Sequence, residues 1–157
     1  MTPKYLFQIT GVSIAALALL TGVQAQDKLL QPHEAFRVSA NQGDASNPVR
    51  TVAVTYKIAP GYYLYQDRFA FGVKGEGGKI SGVVMPKAII KYETSLGHDV
   101  PYYAREVTIQ VSLVVGASPL TLVTTAQGCA SVGICYPPIR KNYVVPAAPR
   151  SSRGRPP

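Results

Sequence analysis

Cys129 and Cys135 are the only thiols in a chain of 157 residues, and Ala-Ser-Val-Gly-Ile separates them. Two chemistries suit such a pair in an oxidising compartment. The first is a disulfide that only braces a loop. Closing seven residues stabilises a fold by roughly 2.4 kcal/mol on the chain-entropy relation, near the low end for disulfides, and a domain of this size folds without such help. The second is exchange, in which an incoming thiolate attacks one sulfur in line with the bond while the other leaves as a thiolate and later attacks back. Gly128 and Gly133 let the backbone turn closely around the pair, and Pro137-Pro138 stiffens the exit. Spacing alone leaves both uses open, because C-x5-C carries much less information than C-x-x-C in a thioredoxin-like setting.

Other chemistries find little support. His33 and His98 lack the ligand spacing that would join them to the thiols in a metal site, so no metal is expected and both read as surface histidines. Gly75 to Lys79 approaches a phosphate-loop pattern, but Ile80 stands where Ser or Thr is required and Val73 where the first Gly belongs, so a hairpin turn is expected. No G-x-S-x-G string offers a serine nucleophile. The formal charge is +8, yet the basic residues are dispersed and Arg150, Arg153 and Arg155 sit in a tail, which does not suit a nucleic-acid interface.

The elements that must position the cysteines follow from periodicity. Residues 1–25 read as a signal peptide: Lys4 precedes an apolar stretch from Tyr5 to Leu20, and Val23-Gln24-Ala25 supplies small residues at a cleavage site. Uncleaved, that stretch would anchor the chain; cleaved, it leaves a mature chain from about Gln26 with no membrane span. Val52, Val54, Tyr56 and Ile58 alternate with polar partners, as do Val107, Ile109, Val111, Leu113 and Val115, and more weakly Leu120 and Leu122. Shorter strands are expected at 36–40, 62–65, 69–73, 79–84, 102–104 and 141–145, separated by Asn47-Pro48, Pro60-Gly61, Gly75 to Gly78 and Gly116 to Pro119. Only Gln31 to Phe36 resembles a helix start, good for one short turn. This rhythm predicts an all-β domain over 26–145, an immunoglobulin-like antiparallel β-sandwich ahead of a closed barrel. The tail over 146–157 is rich in Pro and Arg and has nothing to bury, so disorder is expected.

The longer string QGCASVGICYPP, Gln127 to Pro138, closely resembles the active-site segment of the N-terminal periplasmic domain of DsbD, the thiol:disulfide interchange protein. Leu30-Gln31-Pro32 through Ala35-Phe36 is similar to that domain's entry segment, and Ile58 to Phe69, with Tyr62, Tyr63 and Tyr65, to its tyrosine-rich strand pair. The resemblance spans about residues 29–145. It implies a sandwich that relays reducing equivalents in the periplasm, with interchange at Cys135 and resolution by Cys129. Electrons would come from a separate membrane-borne reductant through a thioredoxin-like domain. They would pass to thioredoxin-fold proteins such as disulfide isomerases or cytochrome c maturation factors. No bound cofactor is implied. The rival reading is an exported sandwich for binding or assembly, with a purely structural disulfide.

The same resemblance brings the face carrying Tyr63 and Tyr65 near the cysteine loop, where phenol hydroxyls reach a sulfur or a water; as core or rim aromatics they would only pack. Tyr136 has the same two readings. The family covers its cysteines with a loop reading roughly Asp-Glu-Phe-Tyr-Gly. Aligned on Gly97, this chain offers Glu93, Thr94, Ser95, Leu96 and Gly97, with one acid and both aromatics missing. Glu93 remains able to tune a thiol, and Tyr92 or Leu96 to act as an apolar lid, but Ser95 at the capping position predicts a less protected disulfide.

Overall fold

The computed structural model describes residues 28–44, 47–94 and 97–148. The expected signal peptide, the tail from residue 149 onward, and Ser95 and Leu96 of the cap segment lie outside the described residues. One helical turn, α1 (Pro32–Ala35), runs directly into β1 (Phe36–Gln42) and β2 (Val49–Ile58). Then come β3 (Tyr62–Tyr65), a 3-10 turn at Gln66–Arg68, β4 (Ala70–Lys74), β5 (Lys79–Val84), β6 (Ile89–Glu93) and β7 (His98–Tyr103). The chain closes with β8 (Glu106–Val114), β9 (Leu120–Ala126), β10 (Gly128–Ala130) and β11 (Ile139–Val145). The strands form antiparallel sheets ordered β1-β2-β8-β5, β10-β3-β7-β6 and β11-β9-β4, in an immunoglobulin-like β-sandwich.

Period-two alternation decides which face is buried. Val52, Val54, Tyr56 and Ile58 of β2 and Val107, Ile109, Val111 and Leu113 of β8 are enclosed with Leu120 and Leu122 of β9. Each such side chain contributes roughly 1.5–3 kcal/mol on leaving water. Arg50 shares the inward face of β2 and is only 2% exposed. Its guanidinium donates to the carbonyls of Asn47, Pro146 and Ala147, the last two at 2.7 Å, so the buried charge is answered by backbone oxygens. Ala148 N–H donates to the Gly116 carbonyl, and the chain therefore stays attached for three residues beyond β11.

Several elements depart from the periodicity. Neither β6 nor β10 is anticipated as a strand, and β7 begins at His98 instead of near Tyr102. Three residues are too few to display alternation, and β6, at the end of its sheet, exposes Ile89 and Ile90 in succession. The Gly75 to Gly78 turn is not a hairpin: β4 pairs with β9 and β5 with β8, so the turn carries the chain between sheets.

Candidate functional site

Cys129 is the middle residue of β10, which lies against β3 in a register that sets Cys129 opposite Tyr63 and Gly128 opposite Leu64. Only glycine fits at 128. A Cβ there would run into the Tyr63 carbonyl, the Leu64 side chain and the Phe36 ring. After Ala130 the chain reverses through Ser131, Val132 and Gly133. Gly133, at φ +88°, donates its N–H to the Ala130 carbonyl, a left-handed position that suits glycine. Ala130 N–H then bonds the Ile134 carbonyl and Tyr136 N–H the Gly128 carbonyl, which brings Cys129 and Cys135 face to face across a narrow hairpin. Their sulfurs are joined, with Cα atoms 3.9 Å apart. Gln127 Nε2 donates to the Tyr136 carbonyl at 3.0 Å and ties the two arms together.

The two cysteines meet solvent unequally. Cys129, enclosed between β3 and the returning arm, is 1% exposed, whereas Cys135 lies on the exposed arm. Val132 and Ile134 at the hairpin tip are 74% and 47% exposed, so the accessible cysteine is flanked by apolar side chains open to a partner. Beside the disulfide opens a cleft of about 330 Å³, bordered by Tyr65, Asp67, Arg68, His98 and both cysteines.

Tyr63 and Tyr65 share a face of β3 with Cys129 across the ladder. Their hydroxyls are 3.3 Å apart, and Tyr65 donates to Glu93 Oε2 at 3.4 Å. Glu93 also accepts from Lys91 Nζ at 3.3 Å, and that ammonium sits 4.9 Å from the centre of the Tyr63 ring. Burial, then the hydrogen bond to Tyr63 and the Glu93 charge, hold the Tyr65 hydroxyl protonated well above the ordinary tyrosine range. Tyr136 turns elsewhere: its hydroxyl donates to the Leu30 carbonyl at 2.7 Å, and its ring meets Phe36 edge-on at 5.6 Å. It fastens the cysteine hairpin to the domain entrance.

In the cap segment, Gly97 at φ +73° donates its N–H to the Glu93 carbonyl and closes the turn between β6 and β7. Thr94 is exposed in that turn, and Tyr92, 60% exposed, alternates away from the face that carries Lys91 and Glu93. The structure thus gathers Tyr63, Tyr65 and Glu93 beside the cysteines and sets Tyr136 behind them. Lys91, Arg68 and Asp67 escape the sequence reading, and His98 borders the cleft while remaining on the surface. The Ile89–Glu93 run of β-branched and aromatic residues carried a signal for β6, and hence for Lys91.

A family model described as the N-terminal part of the thiol:disulfide interchange protein DsbD matches residues 26–147. The chain belongs to this family. It is 33% identical over 160 residues to the DsbD of Ralstonia nicotianae, which covers 96% of this chain but only 26% of the relative. The chain therefore spans about a quarter of that protein's length. Among solved structures it is similar to the reduced DsbD N-terminal domain of Neisseria meningitidis, at 30% identity and TM-score 0.62, covering 77% of this chain and 92% of that domain. A second DsbD N-terminal structure from Neisseria meningitidis, in complex with the PilB N-terminal domain, matches at 26% identity and TM-score 0.61, covering 75% of this chain and 88% of the other.

Proposed function

We propose that this domain performs thiol:disulfide interchange in the periplasm, relaying reducing equivalents between thioredoxin-fold partners through Cys129 and Cys135. The observation that carries this reading is the asymmetry of the bridge: an exposed Cys135 joined to a Cys129 that is 1% exposed. A reductant's thiolate can approach only one sulfur freely. Attack at Cys135 breaks the bond, and the electron pair leaves on Cys129. A second thiolate of the reductant then attacks its own sulfur in the mixed disulfide and leaves the domain with two thiols. In the forward half-reaction the Cys135 thiolate attacks an oxidised partner, and Cys129, held directly opposite, attacks Cys135 to expel the reduced partner. Two sulfurs carry the electron pair throughout.

Tyr63, Tyr65 and Glu93 act as the polar wall of this site. Tyr65 donates to Glu93, which leaves its oxygen to accept from Tyr63, and Lys91 balances the carboxylate. That arrangement keeps an uncompensated negative charge away from a departing Cys129 thiolate, which it would otherwise destabilise. The relative's complex with a PilB domain supports a protein partner of the thioredoxin fold, and the exposed Val132 and Ile134 supply an apolar rim that such a partner would cover. Export through residues 1–25 and a domain that begins near residue 26 complete the reading; the expected tail does not start free at 146, because Pro146, Ala147 and Ala148 are bonded back to the domain.

Equilibration with a thioredoxin-fold protein of known potential tests it. The pair is expected to reach a measurable equilibrium, whereas a purely structural bridge lies below roughly −300 mV and stays oxidised.

A further inference from the structure

We propose that the cleft beside the disulfide is a binding site for a small zwitterionic thiol, which reduces the domain directly without a protein donor. The proposal rests on the interchange reading of Cys129 and Cys135, and adds a substrate class to it. At about 330 Å³ the cleft falls within the range of small-molecule sites, and the disulfide itself forms one wall. Its other borders carry both signs of charge, Arg68 positive and Asp67 negative, with the His98 ring beside them. Arg68 Nε and Asp67 Oδ2 are 3.8 Å apart, with side chains 59% and 64% exposed, so they hold each other weakly and both remain open to a ligand. A thiol bearing a carboxylate and an ammonium matches this pattern. Arg68 takes the carboxylate, Asp67 the ammonium, and the sulfur points at exposed Cys135.

The chemistry balances with two such thiols. The first, as its thiolate, attacks Cys135 Sγ; the Cys129–Cys135 bond breaks, and Cys129 leaves with the electron pair and takes a proton from water. The second attacks the small molecule's own sulfur in the mixed disulfide, and Cys135 departs as a thiolate. Two small thiols become one small disulfide, and the protein disulfide becomes two thiols.

The test uses the oxidised full chain and times its reduction by acid quench, alkylation and mass measurement. Glutathione, cysteine, cysteamine, 3-mercaptopropionate and 2-mercaptoethanol are compared at equal thiolate concentration. Glutathione and cysteine are expected to saturate and to react roughly tenfold faster than 2-mercaptoethanol, the factor one charge-assisted contact supplies. Arg68→Glu should abolish that advantage and put cysteamine ahead of 3-mercaptopropionate. Linear rates that agree for all five thiols, or an order that Arg68→Glu leaves unchanged, overturn the assignment. If the disulfide still equilibrates with a thioredoxin-fold protein, only the cleft assignment falls; a disulfide inert to both overturns the interchange reading with it.

Discussion

Each sulfur of the bridge lies in its own surroundings, and their reactivities should differ accordingly. Cys129 is packed opposite Tyr63, while Cys135 is on the open arm of the hairpin. Beside them the chain of hydroxyls from Tyr63 through Tyr65 ends on Glu93. Tyr65→Phe removes the central link and leaves the ring in place. Losing one hydrogen bond of ordinary strength corresponds to about fivefold, so attack at Cys135 should slow by that order while the melting temperature barely moves. Stopped-flow reduction of the oxidised variant reads this directly, and an unchanged rate would remove Tyr65 from the site. The cysteine and tyrosine strings were legible in the sequence because they are contiguous. Lys91 was not, since its relevance comes from a cross-strand neighbour: β6 must pair with β7, and β7 with β3, before its ammonium reaches the Tyr63 ring.

At the scale of elements, β10 is the part on which the site depends, and it has only three residues. It holds because β3 pairs with one side and the returning arm with the other, and because Gly128 lets it approach β3 closely. Gly128→Ala forces a Cβ against the Tyr63 carbonyl, where the obstacle is backbone. Such overpacking costs typically ~1–3 kcal/mol, and the strain should appear at β10 itself. Chemical denaturation would measure the loss, and amide exchange at Ala130 and Tyr136, both bonded within the hairpin, would locate it. Full stability with unchanged exchange would contradict the close contact. Long strands such as β2 and β8 were readable from alternation because one face is buried over nine or ten residues. Short or edge strands such as β10 and β6 lack that contrast, and only pairing defines them.

Across the whole molecule, the sandwich encloses tyrosines as well as aliphatic side chains. The hydroxyls of Tyr56, Thr124 and Tyr143 are buried without a well-formed hydrogen bond. Burial pushes the Tyr56 hydroxyl from the ordinary value near 10 up to about 12, and raises Tyr143 and Tyr103 in the same direction. A raised value means the folded state holds its proton more tightly than the unfolded chain. The stability linked to Tyr56 is therefore complete below pH 10 and declines as pH rises from 10 to about 12, by a total on the order of 3 kcal/mol. Urea unfolding across that window should show the decline, and Tyr56→Phe should make it shallower; identical slopes for the two proteins would contradict it. None of this disturbs the rigid frame near neutral pH, where the exposed sulfur must meet its partner. The most direct measurement of that meeting is a trap. The Cys129→Ala variant, mixed with an oxidised thioredoxin-fold protein, should accumulate a mixed disulfide that peptide mapping assigns to Cys135. A domain whose bridge only braces the hairpin would give no such species, and that result would contradict interchange through Cys135.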